Sequence, residues 1–129
     1  MRDIAANAVT FILATADKNG KPNGVPIGLT RIISDDEIAL ADIFMHKSRL
    51  NIAKNPMVSV TYWAKAASYG YQFKGKARVV TSGKVYDETI QWLKERDREF
   101  QPRAVVVVKV EEIYYIGSHK DSSIRLDQQ

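Results

Sequence analysis

The sequence predicts a mainly β (α+β) protein: an antiparallel sheet closed into a small barrel, with helices packed outside it or across its mouth. Three observations carry this. Runs rich in β-branched and aromatic residues recur along the chain, bounded by Asn-Gly, Asp-rich and Asn-Pro turn signals. They follow one another as hairpins, in the order β-β-β-α-β-β-α-β-β, without the strand–helix alternation of a parallel sheet. The 129 residues, 45% hydrophobic and 26% charged, suit a single domain with one core, residues 1–129.

Residues 1–7 suit a short helical arm. Val9 to Ala16 is apolar on both faces and reads as a buried strand. Lys18-Asn19-Gly20-Lys21 is a hairpin turn, because Asn and Gly tolerate positive φ. Asn23 to Ile33 is the returning strand, Ser34 to Glu37 a polar turn, and Glu37 to Phe44 a third strand. A short helix fits Ser48 to Lys54, stopped by Asn55-Pro56. Met57 to Trp63 is a fourth strand and Tyr69 to Thr81 a fifth, with a loop at 65–68 between them and a bend or bulge at Gly75. Ser82 is placed to cap a second helix running to Arg98, whose inner stripe is Val85, Thr89, Ile90, Trp92 and Leu93. Arg103 to Val110 is a sixth strand, which Glu112 to Ile116 either extends or follows as a short seventh. The tail after Gly117 is polar and reads as loose.

Composition narrows the function classes. There is no cysteine, which excludes disulfides, zinc–thiolate sites and thiol nucleophiles. No apolar run reaches the roughly 20 residues of a membrane-spanning helix, and the N-terminus lacks a signal-like core, so a cytoplasmic protein is expected. His46 and His119 are far apart with no carboxylate cluster, and no metal site is expected. No phosphate-binding glycine loop occurs and no nucleophile–base pairing stands out, so no catalytic acid or base is assigned. Net charge is +4, but its distribution is uneven. Residues 43–86 hold 8 basic and no acidic side chains, whereas each flank sums to −2. An acid-free stretch of this length invites an anionic partner.

Three segments could carry chemistry. His46-Lys47-Ser48-Arg49 falls at a helix start, where unpaired backbone N–H groups and the helix dipole favour an anion; with Asn51 one turn on, it suits a phosphate monoester. The alternative is that Ser48 only caps the helix while Lys47 and Arg49 point into water. Asn23-Gly24-Val25-Pro26-Ile27-Gly28 carries two glycines and a proline inside a strand, which suits a planar ligand lying against backbone or, equally, a bulged edge at a barrel corner. Tyr62, Trp63, Tyr69, Tyr71 and Phe73 interleave with Lys65, Lys74 and Lys76, either as core and interface residues or as a groove for single-stranded nucleic acid.

Taken in order, DEIALADIFMHKSRLNIAKNPMVSVTYW, then YQFKGKARVV, with ATADKNGKPNGVPIG before them, resembles the FMN-binding split-barrel family related to pyridoxamine 5'-phosphate oxidase. The resemblance spans Val9 to Ile116. It implies an antiparallel split β-barrel of six to seven strands, Greek-key in type, with two to three flanking helices. It also implies a homodimer with one FMN in each of two clefts at the subunit interface. Carried over residue by residue, it places Lys47 and Ser48 on the FMN phosphate, with Asn51 beside them, and Val25, Pro26 and Ile27 along the isoalloxazine ring. Asp42 and Ile43 would line the same cleft. Gln72 and Lys74 would supply polar contacts, and Tyr62 and Trp63 would meet the flavin or the partner subunit.

The sequence departs from the oxidase at its C-terminal end. That enzyme is longer and carries a substrate motif of aromatic, arginine and histidine residues there, against Ile124-Arg125-Leu126-Asp127 here. The resemblance therefore implies the flavin site and not oxidation of pyridoxamine phosphate. The leading expectation is an FMN-dependent oxidoreductase. The alternatives are the same fold with a deazaflavin, FAD or haem, a flavin carrier with no substrate of its own, and a small basic barrel binding single-stranded nucleic acid.

Overall fold

The computed structural model describes residues 10–41, 46–64, 69–96 and 101–117. Its elements are β1 (Thr10–Ala16), β2 (Pro22–Ile27), β3 (Thr30–Ile32), β4 (Glu37–Ala41), α1 (His46–Lys54), β5 (Met57–Ala64), β6 (Tyr69–Val80), α2 (Lys84–Glu95) and β7 (Val105–Gly117). The expected arm at 1–7, the end of the third strand at 42–44, the loop at 65–68, the far end of the second helix and the tail after Gly117 lie outside the described residues.

The seven strands form one sheet in the order β2-β1-β5-β6-β7-β4-β3, and every neighbouring pair is antiparallel. β2 and β3 are its opposite edges, yet only Gly28 and Leu29 separate them along the chain. Three Cα steps span at most about 11 Å. The sheet must therefore curl until its edges meet, which makes it a split barrel. The Leu29 carbonyl accepts the Ala41 N–H at 3.0 Å, holding the corner. The single strand expected from Asn23 to Ile33 is thus two strands. Pairing passes from β1 to β4 at this corner, a change of partner that local pattern does not record. Pro22 and Pro26 lack an N–H and are tolerated because β2 is an edge.

The Asn-Gly turn forms as expected, with Gly20 at φ 85° and its N–H bonded to the Asp17 carbonyl at 3.0 Å. β7 is one continuous strand, so Glu112 to Ile116 extends the sixth expected strand. The β6–β7 register shifts between Lys74, opposite Glu112, and Gly75, opposite Val110, leaving Glu111 as the extra residue of a bulge.

The barrel interior holds Phe11, Leu13, Ile38, Leu40, Val60, Phe73, Val106 and Val108. Val105 and Val107 point to the other face, where they cluster with Ala39 of the neighbouring strand and with Tyr86. A sheet covered on both sides explains the unbroken Val105 to Val108 run. α2 supplies that cover. Its N-cap is Gly83, with no side-chain cap bond, so the capping role expected of Ser82 is not found. The helix begins at Lys84, one residue too late for Ser82 to reach its first N–H groups. Its buried residues are Tyr86, Thr89 and Leu93. Tyr86, absent from the expected stripe, donates its hydroxyl to the Pro102 carbonyl at 2.9 Å. Trp92 is only half-buried, with the Arg96 guanidinium 4.3 Å from its ring centre.

Phe73 is fully buried and stacks against Tyr62 at 6.3 Å between ring centres. Phe73→Ala should cost about 3–5 kcal/mol through lost burial and the cavity left behind. Urea unfolding checks this; a cost under about 1 kcal/mol would show that the interior is not close-packed there.

Candidate functional site

The candidate site is an open cleft where the β1–β2 turn meets α1. Its volume is ≈ 300 Å³, and it is lined by Asp17, Lys21, Pro22, Asn23, Lys47 and Asn51. α1 packs on β1, β2 and β6 through Ser48, Asn51 and Ile52, which follow helical spacing on one face. That docking leaves Lys47 exposed at the rim.

Two side-chain bonds tie the helix to the hairpin. The Asn51 amide donates to Thr15 Oγ1 at 3.0 Å, and the Asn23 amide donates to Ser48 Oγ at 3.4 Å. Ser48 is completely buried. It is the third residue of a helix that starts two residues earlier than expected, so it anchors the helix against β2 and is not its cap. Asp17 organises the turn. Its Oδ1 accepts the Lys21 N–H at 2.9 Å and the Asn19 N–H at 2.8 Å. These backbone bonds, Lys21 first and Asn19 second, pull the Asp17 carboxyl below the usual carboxylate range.

The electrostatics of α1 are those of an anion receptor. Its first turn contains no acidic residue, and Lys47 and Arg49 stand at the positive end of the helix dipole. Cations there are unfavourable to the bare helix by a few tenths of a kcal/mol. A bound anion reverses the sign of that interaction, because the dipole, the first-turn N–H groups and the amines then act together.

The other expected site residues are spread around the barrel. Ile27 and Tyr62 belong to the interior, and Val25 packs half-buried against it. Burial, with Tyr71 and Tyr69 adding to it, raises the Tyr62 phenol well above its ordinary range. Pro26 is exposed on β2, beyond the cleft residues Pro22 and Asn23. Trp63 is exposed, with Gly70 opposite it on β6. Gln72 and Lys74 share a face with Thr61 and Tyr114: the Gln72 amide donates to Thr61 Oγ1 at 3.5 Å, and the Lys74 amine lies 5.0 Å from the Tyr114 ring centre. Asp42 and Ile43 lie outside the described residues. Of the residues expected around the phosphate, the cleft brings together Lys47 and Asn51, with Ser48 behind them.

Asp17 and Lys21 were not expected as site residues, and Asn23 was expected only as the first residue of the segment suited to a planar ligand. The signal for the first two is the five-residue turn itself, whose Asp17 N–H to Lys21 carbonyl bond at 2.9 Å brings its ends together. The aromatics and lysines that alternate in sequence separate in space. Tyr62, Tyr71 and Phe73 turn inward, whereas Lys74 and Lys76 are exposed. Strand alternation therefore denies them a common groove.

A model of the pyridoxamine 5'-phosphate oxidase family matches residues 1–117. The chain belongs to the pyridoxamine 5'-phosphate oxidase family. An uncharacterized protein of Methanocaldococcus jannaschii is 34% identical over 121 residues, 90% of this chain and 78% of that protein. Among solved structures, HupZ of Group A Streptococcus superposes with a TM-score of 0.82 at 27% identity, covering 95% of each chain. An FMN-binding protein from Syntrophomonas wolfei gives 0.79 at 19% identity, covering 92% of this chain and 84% of that one. The fold of this family also recurs in an F420 reductase (0.66, 12% identity) and in a heme-binding protein from Mycobacterium smegmatis (0.70, 19% identity). Family membership accounts for the antiparallel split barrel and for a short helix set between β4 and β5.

Proposed function

We propose that this chain binds FMN, with the phosphate in the cleft between the β1–β2 turn and the start of α1, and that it acts as an oxidoreductase. One observation carries the reading: Lys21 and Lys47 line one open cleft, and Lys47 belongs to the acid-free first turn of α1. That donor set fits a dianionic monoester. Bound FMN supplies hydride or single-electron transfer at its ring. The protein's own part is to hold and orient it. Lys47 and Lys21 neutralise the phosphate, and Ser48 and Asn51, fastened to Asn23 and Thr15, fix the helix that carries Lys47. From Pro22 and Asn23 the exposed edge of β2 continues through Gly24 and Pro26, where side chains are small enough for a planar ring to approach backbone. The FMN-binding protein of the same fold supports this choice of cofactor.

A second copy of the chain completes the reading. Ile12 and Trp63 leave 39% and 42% of their surface exposed on β1 and β5, apolar area that a homodimer would cover. Light scattering should give twice the 14.5 kDa chain mass.

Purified protein titrated with FMN should quench flavin fluorescence, show flavin absorbance bands and melt at a higher temperature, since a ligand of the native state stabilises it. Protein that takes up no FMN sinks the reading. Mass spectrometry of the ligand released from native protein tests the F420, FAD and haem alternatives directly.

A further inference from the structure

The cleft is lined by more than cations. The amide nitrogens of Asn51 and Asn23 are directed into the protein, at Thr15 and Ser48. Among the described residues neither amide oxygen receives a hydrogen bond, so each wall residue offers an acceptor. Asp17 adds a third. Its Oδ1 holds the turn through Asn19 and Lys21, the Gly20 N–H and the Lys21 charge act on the carboxyl more weakly, and among the described residues no hydrogen bond of ordinary geometry reaches its Oδ2. A simple anion would meet the Asp17 carboxylate as a repulsive neighbour. A neutral polyol would leave Lys21 and Lys47 unused. The ligand that satisfies both sets carries a phosphate for the amines and hydroxyl donors for the oxygens.

We propose that Asp17 is the specificity-determining residue of this cleft, accepting a chain hydroxyl of a phosphorylated polyol whose phosphate is held by Lys47 and Lys21. The proposal rests on the phosphate assignment made above and adds the polyol and the carboxylate that reads it. The ribityl phosphate of FMN and a free sugar or polyol phosphate share this chemistry. An aspartate is ionised throughout the neutral range, and the turn bonds shift Asp17 further in the same direction.

The test uses the full chain and Asp17→Asn, which keeps an Oδ1 for the turn but replaces the open acceptor with an N–H donor. Both are titrated with FMN, with the FMN analogue whose ribityl hydroxyls are replaced by hydrogen, and with ribitol 5-phosphate. The wild-type chain should prefer FMN over the deoxy analogue by about tenfold, the scale of one hydroxyl bonded to a charged acceptor. D17N should reduce that preference to about threefold or less, by weakening FMN and tightening the analogue, whose phosphate no longer meets a like charge at position 17. Equal wild-type affinity for the two flavins, or a preference unchanged in D17N, overturns the proposal. If neither flavin binds but ribitol 5-phosphate does, and D17N weakens it about tenfold, the polyol assignment stands and the flavin reading falls. If none of the three binds, both fall. The wild-type preference is readable even if D17N does not fold.

Discussion

Gly75→Ala is expected to destabilise the protein by at least about 3 kcal/mol and to lower its melting temperature by roughly 10 °C or more. A Cβ at Gly75 would lie 1.9 Å from the Lys109 carbonyl oxygen and 2.8 Å from its carbon. Neither atom belongs to a flexible side chain that could swing away. Both are backbone of β7, which is hydrogen-bonded on its other side to β4. Relief requires moving the strand at the bulge that sets the bend of the sheet. Gly28→Ala is the matched control. Gly28 sits at the corner between β2 and β3, and a Cβ there meets nothing within 4 Å. It should change stability by no more than about 0.5 kcal/mol. Thermal and urea unfolding of the two variants check the contrast, and equal midpoints would show that β7 does not press on Gly75.

Lys47→Ala is expected to weaken FMN binding by roughly 10- to 100-fold while leaving the unfolding midpoint of the free protein unchanged. The first figure is the usual worth of a hydrogen bond between charged partners, about 1.5–3 kcal/mol. The second follows from exposure: Lys47 stands at the rim of the cleft and packs no core, and removing a cation from the positive end of α1 relieves the helix slightly. Flavin fluorescence titration measures the affinity. Lys18→Ala removes an exposed lysine of the β1–β2 turn that does not line the cleft, and it should change affinity less than twofold. Equal effects of the two variants would mean that Lys47 acts only through net charge.

Much of this site was legible as chemistry but not as geometry. The helix-start cluster around Lys47 was readable because helix termini and cationic residues declare themselves locally. The role of Ser48 was not, because it depends on Asn23, 25 residues away, crossing to meet it. Lys21 read as a turn residue, and Asp17 closes that turn from just outside the expected four residues; their second role exists only because α1 docks beside it. Tyr62 and Trp63 were read as a pair. Adjacent residues of a strand face opposite ways, so Tyr62 entered the core and Trp63 stayed outside.

By itself the sequence determined every strand but the divided run from Asn23 to Ile33, the Asn-Gly turn, a bend or bulge at Gly75, both helices and the acid-free middle, because each is set by residues within a turn or two of one another. The tertiary structure decided which strand edge meets which, and so everything that depends on closure. It split the run from Asn23 to Ile33 at Gly28-Leu29, placed Val105 and Val107 under α2, and gathered Asp17, Lys21, Asn23, Lys47 and Asn51 around one cleft. Local periodicity records which side of a strand a residue faces. Only the curl of the sheet determines what stands opposite it.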